Sequence, residues 1–113
     1  MTTYQMNLTP TPFAKIANGT KIIESRLYDE KRQLINIGDI LEFSNTENNS
    51  VKIKTKIIAL YRYGYFKDLF NDFPASYFGG ESADQLYNEV KNFYSPEQEK
   101  EFGVLGIRLK KID

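Results

Sequence analysis

Residues 51–59 read V-K-I-K-T-K-I-I-A, and they are the clearest strand signal in the chain. Three lysines, Lys52, Lys54 and Lys56, alternate with apolar or β-branched residues, as expected when successive side chains point to opposite faces of a β-strand. Residues 57–60 that end this stretch are apolar on both faces, which is typical of a central strand. The sequence therefore predicts a sheet built around a strand near the middle of the chain.

Weaker strand and helix patterns lie on both sides of this stretch. Alternation predicts further strands at residues 4–8, 21–28, 40–43 and 104–109, with a polar hairpin loop at 45–50. Capping residues and prolines predict helices at 12–18, 66–73, 82–93 and 96–102, the first with Thr11 as its N-cap. This order predicts an α+β fold, a mostly antiparallel curved sheet or small β-barrel with flanking helices.

Composition excludes several classes of chemistry. A length of 113 residues predicts a single domain spanning residues 1–113. The chain has no Cys and no His, so thiolate nucleophiles, disulfides and histidine bases are excluded. No phosphate loop, dinucleotide fingerprint or metal-ligand cluster is visible, and neither a metal nor a cofactor is expected.

Charge and hydropathy limit the partners. Fifteen basic and fifteen acidic residues give a formal net charge of zero, which confines any nucleic-acid binding to a local patch. No apolar run approaches the length of a membrane span, and no signal peptide is visible. We therefore expect a cytoplasmic protein with no membrane partner.

The stretch with the strongest claim to function is residues 19–26, G-T-K-I-I-E-S-R. Its period of two places Glu24 and Arg26 on one face of the predicted strand. Lys21 has the opposite parity, but it lies at the mouth of the strand, where the turn can swing it toward the same cleft. From the residues alone, a solvated strand face with a weak Arg–Glu pair is an open alternative.

The same stretch resembles the G-x-K-x-x-E-x-R signature of ASCH domains, which belong to the PUA-like superfamily. Residues 6–18 resemble the first strand and helix of the family, and residues 27–43 resemble its loop and third strand. Residues 94–109 resemble the C-terminal helix and strand of small stand-alone bacterial members. The resemblance implies a small PUA-like β-barrel, a cleft beside the signature, and RNA, a nucleotide or a nucleoside as ligand.

An enzymatic alternative also follows from the resemblance. One small group of relatives hydrolyses the acetyl amide of acetylated cytidine with a Lys, a Thr and a Glu, and some ASCH proteins are described as ribonucleases. The Lys of that group matches Lys21, but its Thr falls on Glu24, which replaces a hydroxyl nucleophile by a carboxylate. As a hydrolase of a modified nucleoside or RNA, the chain would use Lys21 as base or electrostatic stabiliser and Glu24 as general base.

As a binding module, the chain would use the signature residues differently. Lys21 and Arg26 would hold a phosphate or a base edge, and Glu24 would orient Arg26 or accept from a base amino group. Arg32, in the loop after the signature strand, is a further predicted contact.

Aromatic and basic residues alternate again at Tyr61, Arg62 and Tyr63. As ligand contacts, the tyrosines would stack on bases while Arg62 meets a phosphate. Alternatively, the tyrosines fill the space between the barrel and a helix.

Other candidates have simpler interpretations. The three lysines of residues 52–56 favour a solvated face or protection of a sheet edge over a nucleic-acid patch. Residues 78–80, F-G-G, are either a lid over the cleft or a plain connection. Phe93 and Tyr94, near a helix end, are expected to pack in the core.

Overall fold

The computed structural model describes residues 1–112, which form one sheet and four α-helices. The strands are β1 (Thr3–Leu8), β2 (Ile23–Leu27), β3 (Ile40–Asn45), β4 (Asn48–Tyr63) and β5 (Val104–Lys111). The helices are α1 (Pro10–Ala17), α2 (Phe66–Asp72), α3 (Ala83–Val90) and α4 (Pro96–Phe102). Two short 3₁₀ turns, Arg32–Leu34 and Ala75–Phe78, complete the fold.

The five strands lie in the order β1-β3-β4-β5-β2. β1 runs parallel to β3, and the other three pairs, β3–β4, β4–β5 and β5–β2, are antiparallel. The sheet curls into a half-barrel, so its two edge strands, β1 and β2, approach each other. The predicted α+β class with a mostly antiparallel, barrel-like sheet is confirmed.

β4 is the central strand, as its sequence predicts. Ile53, Thr55 and Ile57 are buried while the intervening lysines are exposed. Thr55 is accommodated in the core because its hydroxyl donates to the carbonyl of Leu41 at 2.8 Å. The strand is longer than predicted at both ends, and its first residues, Asn48–Ser50, replace part of the expected hairpin loop.

Apolar side chains form two clusters. In the first, Phe13 of α1 packs with Leu41 and Phe43 of β3. In the second, Ile23 of β2 packs with the buried residues of α2 and α3, which are Phe66, Leu69, Phe70, Leu86 and Val90. β2 is therefore held on one side by β5 and covered by helices, which fixes the position of the signature residues.

Two helix boundaries differ from the prediction by more than one residue, and both matter for the site. The repeated Thr-Pro pair offers two possible starts for α1, and the chain uses the first, with Thr9 as N-cap and Pro10 as the first helical residue. α3 ends at Val90 rather than at Phe93, because the backbone N–H groups of Phe93 and Tyr94 both donate to the Val90 carbonyl at 3.0 Å. Residues 91–93 therefore form a turn after the helix.

Candidate functional site

A cleft of about 600 Å³ opens where the two edge strands of the sheet meet. Arg26 of β2 bridges them, because its Nη2 donates to the carbonyl oxygen of Asn7 in β1 at 3.2 Å. Further walls come from α1, the 3₁₀ turn before Gly79, α3 and the turn after it. The cleft therefore lies beside the signature stretch that the sequence singles out.

The signature triad, which we define as Lys21, Glu24 and Arg26, is held together by two ion pairs. Lys21 Nζ lies 2.7 Å from Glu24 Oε1, and Arg26 Nε donates to Glu24 Oε2, also at 2.7 Å. The Glu24 side chain is only 5% exposed, so one buried carboxylate has a cation on each oxygen. The structure thus brings the three residues together, as expected; their contact with a ligand stays a prediction.

Lys21 reaches Glu24 because it lies just before the regular strand. Its backbone N–H donates to the carbonyl of Lys15, and the N–H of Ile22 donates to the carbonyl of Tyr77. These bonds anchor the segment between the end of α1 and the Ala75–Phe78 turn. Because Lys21 lies outside the regular strand, its side chain does not follow the alternation of strand faces, which would point it away from Glu24.

Electrostatic contacts keep Glu24 and Arg26 ionised. Burial by itself raises the pKa of Glu24, but the charges and hydrogen bonds of Lys21 and Arg26 outweigh it and lower that pKa to about 2. Burial likewise opposes the charge of Arg26, yet Glu24 and Tyr94 leave its pKa above the ordinary value. The Glu24 carboxylate is therefore negative and the Arg26 guanidinium positive at neutral pH.

The cations of the triad keep donors for a ligand. A lysine ammonium has three N–H groups and a guanidinium has five. The contact with Glu24 occupies one donor of Lys21, and the contacts with Glu24, Asn7 and Tyr94 leave two of the five donors of Arg26. Donors on both side chains are thus open to a ligand in the cleft.

Other lining residues were not identified from the sequence. Lys15 of α1 donates from Nζ to the carbonyl of Gly79 at 2.6 Å, which ties the F-G-G segment to the wall of the cleft. Tyr94 stacks on Phe66, with ring centroids 5.5 Å apart. Phe93, by contrast, is 72% exposed and lines the cleft, so the expectation that it packs in the core is wrong.

Three other predicted contacts, in the aromatic run of Tyr61, Arg62 and Tyr63, lie outside the lining of this cleft. Tyr61 packs on Phe73 with centroids 4.7 Å apart, and Arg62 lies over the ring of Tyr28 at 4.0 Å. The structure does not bring these residues together with the signature triad. Their ligand binding stays a prediction.

The remaining groups of that run also have partners within the chain. The Tyr63 hydroxyl donates to Asp72 at 2.6 Å, which is the main reason that the pKa of Tyr63 rises to about 12. The Tyr61 hydroxyl accepts from Arg108 at 3.3 Å.

Arg32 also lies apart from the cleft. Its Nη1 donates to Asp29 at 2.9 Å, in a separate shallow depression that Phe102 borders. Arg32 does not line the signature cleft. The contact of Arg32 with a ligand stays a prediction.

Membranes and metal ions are two further classes of possible partner. None of the helices in residues 1–112 is long and apolar enough to cross a membrane. Within the same residues, no three acidic side chains come together in a way that could hold a metal ion.

Fold and cleft together define a small half-barrel domain of the PUA-like type. The family model of the ASCH domain matches residues 6–113, so the chain belongs to the ASCH domain family.

Solved structures of similar proteins agree with this assignment. The hypothetical protein PH0355 is 31% identical, with a TM-score of 0.86, over 97% of this chain and 99% of its own. A Pyrococcus furiosus protein solved by NMR is 27% identical, with a TM-score of 0.78, over 98% of both chains. The ASCH domain from Lactobacillus crispatus is 17% identical, covers 97% of this chain and 79% of its own, and shares the fold with a TM-score of 0.71. No curated protein matches the chain.

Proposed function

We propose that this ASCH domain binds RNA or a nucleotide in the cleft beside the signature triad. ASCH domains are generally proposed to bind RNA, which makes this ligand class the first to consider. The observation that carries the proposal is the arrangement around Glu24. One buried carboxylate fixes two cations in place, and both cations keep donors for a ligand.

The charge of the cleft suits an anionic ligand. Its lining contains three cations, Lys15, Lys21 and Arg26, and two carboxylates, Glu24 and Glu89. Both oxygens of Glu24 are engaged, so this carboxylate positions the cations without occupying all their donors. Charge-assisted hydrogen bonds from lysine and arginine to phosphate are among the stronger polar contacts in proteins.

The size of the cleft suits a ligand the size of a small molecule, such as one nucleotide or one nucleotide unit of a chain. Pockets for small molecules span about 300–1,000 Å³, and this cleft of about 600 Å³ falls within that range. The formal net charge of zero argues against a broad electrostatic surface for a long duplex.

Binding is better supported than hydrolysis. A general base works best when its pKa lies near the operating pH, whereas the pKa of Glu24 is about 2. Both of its oxygens are also occupied by cations, which leaves little room for an attacking water. We expect incubation with acetylated cytidine to give no product.

Titration of a labelled single-stranded RNA octamer at low salt tests the proposal. We expect Lys21→Ala to weaken binding about tenfold, because it removes a phosphate donor and a charge from the cleft. Lys67→Ala is the matched control, since it removes the same charge from the exposed face of α2. Absence of wild-type binding, or equal losses in the two variants, would contradict the proposal.

A further inference from the structure

Phe93 is the exception among the phenylalanines. The chain has eight, all within the described residues, and the other seven are buried or half-buried. Phe93 is 72% exposed, and its ring lines the signature cleft. Other large apolar side chains are exposed as well, among them Leu34 and Ile37, but unlike these two Phe93 lies at the charged cleft.

The backbone holds Phe93 in this position. The N–H groups of Phe93 and Tyr94 both donate to the Val90 carbonyl, which closes the turn after α3. The next ring, Tyr94, stacks on the fully buried Phe66 and thereby anchors the chain immediately after Phe93. The Phe93 ring therefore cannot join the core without breaking the turn or displacing Tyr94.

We propose that Phe93 is a stacking platform for one unpaired base, and that the cleft therefore takes single-stranded rather than duplex RNA. This inference rests on the proposed function. It adds a contact for the base of the ligand, which the proposed function does not specify. Lys21 and Arg26 offer donors to a phosphate, and Phe93 offers an apolar face to the base attached to it. These are the two contacts that proteins combine on single-stranded nucleic acid.

Stacking on Phe93 requires a base with a free face. A base inside a duplex is covered on both sides by its neighbours, so it can reach the ring only after leaving the stack. An unpaired base meets no such cost. Asn92 and Glu89 line the cleft as well, and their side chains can hydrogen-bond to the edge of the base.

The first test measures binding of a single-stranded RNA hexamer to variants at position 93. We expect Phe93→Leu to weaken binding by about five- to a hundredfold, because leucine keeps apolar volume but loses the aromatic face. Phe93→Trp should bind within threefold of wild type or more tightly. Leu34→Ala is the control, since Leu34 is an exposed apolar residue outside the cleft.

The second test uses the absence of tryptophan from the chain. Phe93→Trp introduces a single tryptophan at the cleft, and we expect the single-stranded hexamer to quench its fluorescence. Leu34→Trp places a single tryptophan away from the cleft and should show no quenching. The same hexamer annealed to its complement should quench Phe93→Trp far less.

The outcomes separate the inference from the proposed function. Suppose that wild type binds the hexamer and that Lys21→Ala binds it more weakly. If Phe93→Leu then binds within threefold of wild type, stacking is overturned and the binding proposal stands. If Phe93→Leu changes only self-association in gel filtration, the ring serves a contact between copies and the inference is likewise overturned. If wild type binds no RNA, both proposals fail. Thermal unfolding confirms that the variants are folded, as expected for an exposed side chain.

Discussion

The signature triad and the aromatic run are alike in sequence but differ in the structure. Both place a guanidinium among groups that can contact a nucleotide, and in both the guanidinium lies on a strand of the same sheet, Arg26 on β2 and Arg62 on β4. In the triad, two cations share one carboxylate and line a cleft. In the run, each side chain has its own partner within the chain, which is Phe73 and Arg108 for Tyr61, Tyr28 for Arg62 and Asp72 for Tyr63.

The difference lies in where the cationic donors are placed. The Arg62 guanidinium lies over the Tyr28 ring outside the cleft, whereas Lys21 and Arg26 line the cleft. A side chain whose donors and ring faces are already occupied has to give up a contact before it binds a ligand. The triad has more cationic donors than Glu24 can accept, so a ligand adds contacts without displacing any. Cationic donors that line a cleft, rather than residue type alone, therefore distinguish the candidate site.

Loss of the central carboxylate should have the largest effect. Glu24→Gln leaves Lys21 and Arg26 partly buried without their counter-charge, and we expect the free energy of unfolding at pH 7 to fall by about 3 kcal/mol. Urea unfolding of wild type and Glu24→Gln measures this difference in the free energy of unfolding. Asp72→Asn, at the exposed partner of Tyr63, is the control and should cost less than about 1 kcal/mol.

The pH dependence of the same variant follows from the pKa of Glu24. That pKa is lowered in the folded state from 4.5 to about 2, so its stabilisation is complete above pH 4.5 and is lost as the pH falls through 2. The stability difference between wild type and Glu24→Gln should therefore shrink by roughly half or more between pH 7 and pH 3. A difference that stays constant over this range would show that the carboxylate is not preferentially ionised in the folded protein.

A substitution at Gly79 should have the next largest effect. Gly79 has φ +79°, and a Cβ there would lie 3.1 Å from Lys15 Cδ and 3.3 Å from Lys21 Cβ. We expect Gly79→Ala to cost about 1–2 kcal/mol in urea unfolding and to weaken RNA binding by displacing the two lysines. Gly19→Ala is a matched control, because Gly19 has φ +81° and no atom near the added Cβ. Equal RNA affinity of the two variants would argue against a role for this wall of the cleft.

Much of the fold can be predicted from local sequence patterns. Alternation places all five strands, and the S-P-E-Q box at Ser95 predicts the start of α4, where Ser95 and Gln98 cap each other. The polar residues Asn48–Ser50 resemble a loop, and only their pairing with β3 shows that β4 begins there. The parallel pairing of β1 with β3 joins distant segments, and no local pattern encodes it.

The candidate site can be predicted from the sequence only in part, because some of its contacts join segments that are far apart in the chain. Lys21, Glu24 and Arg26 lie within six residues, so one motif identifies all three. The contact of Lys15 with Gly79 spans 64 residues and depends on how α1 meets the Ala75–Phe78 turn. Phe93 resembles a core residue in sequence, and its exposure follows from the turn that ends α3 three residues early.

A smaller effect is expected in the aromatic run. Tyr63→Phe removes the hydrogen bond to the exposed Asp72 and should cost about 1 kcal/mol or less, with RNA affinity unchanged. Because Asp72 raises the pKa of Tyr63 from 10.0 to about 12, that bond's contribution is present below pH 10 and is lost as the pH rises through 12. Spectrophotometric titration should show a tyrosine step near pH 12 in wild type that is missing in Tyr63→Phe. A tenfold loss of RNA affinity in Tyr63→Phe would restore the run as a candidate ligand site.

The smallest effect is expected on the exposed face of β4. Lys52 Nζ lies 3.9 Å from Glu42 Oε1, and its side chain is 46% exposed, so solvent screens the pair. Lys52→Ala should change the free energy of unfolding by less than about 0.5 kcal/mol and RNA affinity by less than about twofold. Titration of the single-stranded octamer at two salt concentrations checks this, with Lys21→Ala measured alongside. If Lys52→Ala lost as much RNA affinity as Lys21→Ala, the phosphate contacts would extend over β4. A position in the cleft would then not distinguish a binding residue from a lysine on a solvated face.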